Sequence, residues 1–85
     1  MSNLKAAFDS AVAATKALTE RPDNQTLLRL YSLYKQGAEG DVSGTRPGFA
    51  DLIGRFKYDA WASLQGMTQE AAMQAYIDKF AELQG

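Results

Sequence analysis

The chain has no histidine and no cysteine among its 85 residues. Those two absences remove the commonest general base, the thiol nucleophile and every imidazole or thiolate metal ligand. Without cysteine there is no disulfide framework, and nothing in the chain reports on the redox compartment. No Gly-x-Ser-x-Gly turn surrounds Ser10, Ser32, Ser43 or Ser63, which removes the serine hydrolases built on that turn. The carboxylates Asp51, Asp59, Glu70 and Asp78 show no pairing beyond ordinary helix-surface spacing, so the chain is expected not to be an enzyme and to carry no metal or cofactor. It also lacks an excess of either charge. Nine Lys and Arg against ten Asp and Glu give a net charge of −1 and a pI near 5.2. Global attraction to DNA, RNA or an anionic membrane needs clustered basic excess, so nucleic acid is excluded as a partner and any anion must be held by a local patch. No apolar run approaches the roughly 20 residues of a membrane span. No integral membrane association is expected, and membrane contact, where there is any, is peripheral. Met1-Ser2-Asn3-Leu4-Lys5 leads into an Ala-rich segment interrupted by Asp9 and Lys16, with neither the apolar centre nor the cleavage site of a signal peptide, which points to the cytoplasm. No segment alternates with period two, so strands are not expected either.

What is present reads as four helices in one domain spanning residues 1–85. A chain of this length buries only about 60 to 65% of its unfolded surface, leaving room for a binding surface but little for an elaborate active site. Leu4, Ala7, Phe8, Ala11, Thr15 and Leu18 recur at three and four, predicting an amphipathic helix over residues 3–18. Thr19-Glu20-Arg21-Pro22 breaks it, and Asp23 or Asn24 supplies the N-cap of the next helix. From Asn24 to about Glu39, Leu27, Leu28, Leu30, Tyr31, Leu33 and Tyr34 cover more than a single stripe, so this central helix should touch neighbours on two sides. The glycine-rich stretch from Gly40 to Gly48 is a loop by composition, ordered by its Asp, Thr and Arg side chains. Its glycine spacing fits neither a P-loop nor a dinucleotide fingerprint. Phe49, Leu52, Ile53, Phe56, Ala60 and Leu64 announce a third helix that begins between Ala50 and Gly54 and ends before Gly66, where a left-handed glycine is placed to stop it. Thr68 is the N-cap of a fourth, with Glu70 in its first turn and a stripe of Met73, Tyr76, Ile77, Phe80 and Leu83. The expected fold class is an all-α bundle of four helices.

The chemistry concentrates on Tyr31-Ser32-Leu33-Tyr34-Lys35-Gln36 and on its echo Arg55-Phe56-Lys57-Tyr58-Asp59-Ala60-Trp61. In a helix Tyr31, Tyr34 and Lys35 share one face, and Lys57 and Trp61 repeat the pairing of cation and ring at a spacing of four. A phosphate with a stacked base is one ligand that such a surface suits. The other reading is that the rings are core and the lysines are solvated stems lying over them. The available donors are Lys16, Arg21, Arg29, Lys35, Arg55 and Lys57, beside the phenols of Tyr31, Tyr34 and Tyr76. Lysine binds phosphate as a point charge.

Tyr31-Ser32-Leu33-Tyr34-Lys35-Gln36, Gly40-Asp41-Val42, Arg46-Pro47-Gly48, Lys57-Tyr58-Asp59-Ala60-Trp61 and Ala72-Met73-Gln74-Ala75-Tyr76-Ile77 occur in this order. Together they resemble the signature segments of the acyl-CoA-binding protein family, across nearly the whole chain from Phe8 to Leu83. The resemblance implies a skewed up-down four-helix bundle with a long connection between helices 2 and 3. It implies a soluble, monomeric, non-catalytic carrier that binds medium- to long-chain acyl-CoA esters for intracellular transport and fatty acid metabolism, with acyl-CoA-using enzymes as partners. It also implies roles for residues. Tyr31, Lys35 and Lys57 match positions that hold the 3′-phosphate of the ligand's ribose, and Tyr34 matches a position at the adenine. Lys16 and Tyr76 match further contacts, and Phe8 and Leu28 lie where the family lines the acyl groove. The chain departs from the pattern at Tyr58, where many relatives carry Trp, and at Ile53 and Gln65, where lysine is frequent. A helical protein-interaction module using the same aromatic stripe is the alternative reading.

Overall fold

The structure, a computed structural model, describes residues 3–84. Met1 and Ser2, which begin the segment read for targeting, and Gly85 lie outside the described residues. The protein is an all-α four-helix bundle, with α1 at Leu4–Lys16, α2 at Asn24–Glu39, α3 at Leu52–Ala62 and α4 at Gln69–Gln84. No strand occurs among the described residues.

The helix ends follow from local chemistry. Helix α1 stops two residues short of the expected Leu18, because Ala17 N–H and Leu18 N–H turn back to Ala14 O and Thr15 O. Such i→i+3 bonds tighten the last turn and end the helix before Pro22 is reached. Of the two candidate caps of α2, Asp23 does the capping. Its Oδ1 accepts from Thr26 N–H at 2.7 Å, which holds the carboxyl below its ordinary pKa, while Asn24 becomes the first helical residue. Helix α3 is capped by Asp51, which accepts from Gly54 N–H at 2.9 Å. It ends at Ala62, before Gly66 as expected. Leu64, Gln65 and Met67 N–H bond to Trp61, Ala62 and Leu64 O, so a run of tight turns separates the helix from Gly66, whose φ of 96° nonetheless has the expected left-handed sign. Thr68 caps α4 as read, its Oγ1 accepting from Ala71 N–H at 3.0 Å.

Helix α2 is central, packing against both α4 and α3, while α1 packs against α4. Phe8, Ala11, Leu30, Leu33, Leu64, Met73 and Tyr76 form the core. The molecule measures 39 × 32 × 15 Å, a slab about as deep as two helix backbones in contact. Since α3 packs chiefly on α2, much of its surface is left outside. The residues whose spacing announces α3 are mostly not those it buries: Trp61 and, just past its end, Leu64 go inward, whereas Phe49, Leu52, Ile53 and Phe56 are exposed.

The connection between α2 and α3 is pinned at several points. Gly40, at φ 84°, ends α2 with its N–H on Gln36 O and turns its carbonyl to Trp61 Nε1–H at 2.8 Å. Asp41 Oδ1 accepts from Gln36 Nε2 and from Gly66 N–H, tying the loop to the α3–α4 turn. Arg46 donates from Nε and Nη2 to the two oxygens of Asp59, at 2.8 and 2.7 Å. Tyr58, at the position where a Trp is frequent, donates its phenol to Gly44 O at 3.1 Å. Asp41 and Arg46 thus supply the ordering expected of the loop's own side chains, while Thr45 stays exposed.

Candidate functional site

Two clefts meet along α2. The larger, about 690 Å³, lies between α2 and α3. Leu27, Leu28 and Tyr31 line it from α2, and Ile53, Phe56 and Lys57 from α3, with Arg21 at its edge. Its wall is therefore mostly apolar with cations at the margin. The smaller, about 300 Å³, is bounded by Thr15 and Lys16 of α1, Tyr31 and Tyr34 of α2, and Tyr76 of α4, over Val12, Leu27 and Leu30. Leu27 and Tyr31 belong to both. The two clefts are thus one continuous surface, apolar toward α3 and aromatic toward α1 and α4.

The two signature lysines do not pair with the rings of their own helices. Lys57 of α3 reaches across to α2, its Nζ 5.2 Å from the centroid of Tyr31. Lys35 of α2 reaches across to α3, its Nζ 4.7 Å from the centroid of Trp61. This crossed arrangement corrects the expectation of Tyr31 with Lys35 and Lys57 with Trp61. Packing α3 against α2 thus brings each lysine to a ring of the facing helix. Lys35 is also ion-paired with Glu39 one turn on, and that bond raises its ammonium pKa above the ordinary value. Lys57, by contrast, is exposed and in no ion pair among the described residues.

Of the eight residues singled out in the sequence, Tyr31, Leu28 and Lys57 line the larger cleft, and Lys16, Tyr31, Tyr34 and Tyr76 the smaller. Lys35 stands outside both linings, on the Trp61 side. Phe8 lines neither. It is 2% exposed, stacked at 6.2 Å on Tyr34 and edge-on at 5.4 Å to Tyr76, so it supports the rings of the smaller cleft from within the core. Tyr76 is itself buried. Its phenol donates to Thr15 Oγ1 at 2.9 Å, and burial pushes its pKa up, keeping it neutral over the physiological range. Arg21, Asn24, Leu27, Ile53 and Phe56 complete the larger cleft, and of these only Arg21 had been read as a possible ligand donor. The i,i+4 spacing of Lys35 and Glu39 was the available signal for the ion pair. Nothing local announces that Ile53 and Phe56 face Leu27 and Leu28, since that depends on how α3 lies on α2.

The comparisons with known proteins bear on the family and the fold. Residues 5–80 match the family described as Acyl CoA binding protein. The chain belongs to the acyl-CoA-binding protein family. It is 45% identical over 80 residues to Acyl-CoA-binding domain-containing protein 5 of Rattus norvegicus and 44% identical over 80 residues to the Mus musculus protein of that name. In each case 89% of this chain is matched to 16% of the relative's length, so the chain spans about one-sixth of the curated relatives it resembles. Among solved structures it is similar to Acyl-CoA-Binding Protein 2 of Oryza sativa, with a TM-score of 0.91 and 38% identity, over 96% of this chain and 89% of that one. It is also similar to the acyl-CoA-binding protein of Moniliophthora perniciosa, with a TM-score of 0.89 and 39% identity, over 98% and 80% of the two chains. Among the described residues no helix is long and apolar enough to cross a membrane, and no three His, Cys, Asp or Glu side chains gather as a metal site.

Proposed function

We propose that residues 1–85 act as a single, monomeric, non-catalytic domain that binds medium- to long-chain acyl-CoA esters and carries them in the cytoplasm to acyl-CoA-using enzymes. The observation that carries this reading is the junction at Tyr31, where an apolar cleft and a cleft of phenols share a wall and Lys57 lies over the ring. An acyl-CoA ester has the same two halves. Its chain suits Leu27, Leu28, Ile53 and Phe56. Its nucleotide suits the other end, with Tyr31, Lys35 and Lys57 on the 3′-phosphate, Tyr34 at the adenine, and Lys16 and Tyr76 along the head group. Phe8 backs Tyr34 and Tyr76 rather than touching the chain. Burying about ten methylenes at roughly 0.8 kcal/mol each supplies several kcal/mol after ordering costs, so chain length should dominate affinity while the phosphate sets specificity.

The test is a calorimetric titration of delipidated protein with dodecanoyl-CoA and dodecanoyl-dephospho-CoA. The dephospho ester should bind at least about tenfold more weakly, because the lysines lose their partner, and free dodecanoate should bind more weakly still. Lys57→Ala should remove about 1.5 to 3 kcal/mol of binding to the full ester, the usual loss for a charge-assisted contact, with stability changed by less than about 0.5 kcal/mol because the side chain is exposed. Equal affinity for the two esters would reduce the site to an apolar groove and bring the protein-interaction module forward.

A further inference from the structure

The larger cleft has a direction. Lys57 of α3 lies over Tyr31 of α2, and one turn further along both helices Lys35 lies over Trp61. The two helices therefore run the same way past one another. Stepping back one turn from Tyr31 and Lys57 brings Leu27 and Leu28 to the same stretch of cleft as Ile53. A further turn back α2 begins, at Asn24, and Arg21 stands just before it at the cleft's edge. From Tyr31 to Asn24 this wall runs for about 10 Å along the helix. The cleft is thus a trough with one cation at each end and apolar side chains between them.

The two cations do not share a task. Lys57 lies against Tyr31, which opens onto the phenols of the smaller cleft, whereas Arg21 stands at the opposite end, where leucine and isoleucine are its neighbours in the lining. Its Nη1 donates to Asn24 Oδ1 at 3.2 Å, a bond that ties the guanidinium to the first residue of α2 and uses one of its five N–H donors. It forms no ion pair among the described residues. No acid lines the cleft. Asp23 is engaged in capping Thr26 N–H and Asp51 in capping Gly54 N–H, while Glu20, next to Arg21 in the chain, is in no ion pair either.

A methyl-ended chain lying in this trough gives the guanidinium nothing to bind. A chain that ends in a carboxylate does, because the planar fork of arginine matches the two oxygens. A carboxylate left unpaired among leucine, isoleucine and phenylalanine would be costly, so a cation at the far end decides whether such a chain can lie there. Resting on the carrier reading, we propose that Arg21 recognises the ω-carboxylate of acyl-CoA esters of dicarboxylic acids. The nucleotide phosphate is held at Tyr31 and Lys57, the methylenes pass over Leu28 and Ile53, and the terminal carboxylate meets Arg21 beside Asn24.

Calorimetric titration of delipidated protein with hexadecanoyl-CoA, hexadecanedioyl-CoA and the ω-methyl ester of the latter tests this apart from the carrier reading, which fails only where hexadecanoyl-CoA itself does not bind. Arg21→Gln should weaken hexadecanedioyl-CoA about three- to tenfold, the scale of a charge-assisted pair at a partly exposed edge. It should change hexadecanoyl-CoA and the methyl ester by less than about twofold. Arg21→Lys, which keeps the charge but not the fork, should restore part of the affinity, and the loss should shrink as salt rises. Both variants should melt as the parent does, since Arg21 is exposed and lies outside the helices. Equal losses on all the esters would make Arg21 a contact of the nucleotide or a source of general field. No loss on any would make its stem a cover for the trough. Either result overturns the proposal, as does a parent that binds hexadecanoyl-CoA but not the diacid ester.

Discussion

Lys35 of α2 stands with its ammonium 4.7 Å from the ring centroid of Trp61 on α3 while held by the carboxylate of Glu39 one turn further along its own helix. Trp61 in turn is fixed by the bond from its Nε1 to Gly40 O. The cation proposed for the ligand's phosphate is therefore already engaged within the protein. It is placed by an aromatic face and balanced by an internal anion, and a phosphate bound as proposed would share it with both.

That balance predicts the effect of Glu39→Gln. Removing the carboxylate leaves the Lys35 ammonium over Trp61 without a competing anion and takes one negative charge from beside the arriving phosphate. Dodecanoyl-CoA should bind the variant about two- to tenfold more tightly at low salt, the scale of one partly screened charge near the surface. Dodecanoyl-dephospho-CoA should bind it much as it binds the parent. Stability should fall by no more than about 0.5 kcal/mol, the contribution of an exposed i,i+4 pair. A gain of equal size for both esters would show that Glu39 acts on the general field and not on the phosphate.

Trp61 should report ligand through Lys35 rather than through its helix neighbour Lys57. On saturation with palmitoyl-CoA its emission intensity should change as the ammonium shifts over the ring, while the emission maximum stays at the short wavelength of a buried indole. In Lys35→Ala, saturated at a correspondingly higher concentration, the intensity change should vanish. A persisting change in that variant would mean that the ligand touches the indole itself.

The four helices were legible because their signals are local. Asp23 and Thr68 cap, and apolar residues recur at three and four. Partners across helices were not legible in the same way. Periodicity identified α3 but not which side of it is buried, since Phe49, Leu52, Ile53 and Phe56 satisfy the helical pattern equally well facing water. The same limit applied to Lys35 and Lys57. Each has a ring at the right spacing on its own helix, yet interhelical packing gives it the other helix's ring. Phe8 was legible as an apolar face residue, but only its stacking on Tyr34 shows that it backs the wall of the smaller cleft.

Helix α2 approaches α4 closely enough that Gly37 has no room for a branched side chain. A Cβ placed there would lie 3.2 Å from both Met73 Cγ and Phe8 Cζ. Any gain in helix propensity on replacing glycine, about 1 kcal/mol at most, is opposed by crowding in a close-packed interior. Gly37→Val should destabilise the protein by about 1 to 3 kcal/mol, the usual range for overpacking. Because Phe8 backs Tyr34, the variant should also bind palmitoyl-CoA more weakly. A chemical denaturation series alongside calorimetry would check both, and a variant as stable as the parent would mean that α2 and α4 can separate without loss.

Asp41 should make the protein sensitive to acid. Its carboxylate accepts first from Gly66 N–H and then from the Gln36 amide, and these bonds lower its pKa below the ordinary 3.8. A carboxyl whose folded pKa is depressed contributes stability that is fully present above the unfolded value and is lost as pH falls through the folded one. The contribution is therefore intact at neutral pH and disappears below about pH 4. Asp23 and Asp59 are lowered in the same sense by Thr26 and by Arg46, so the parent should lose stability steeply in that window. Asp41→Asn keeps an oxygen for Gly66 N–H but removes the charge. At pH 7 it should melt below the parent, and the gap between the two should close as pH falls through 4 to 2.5 or so. Thermal melts across that range would decide it. A gap that stays constant with pH would mean that the shape of the loop, and not the ionised carboxylate, joins α2 to the α3–α4 turn.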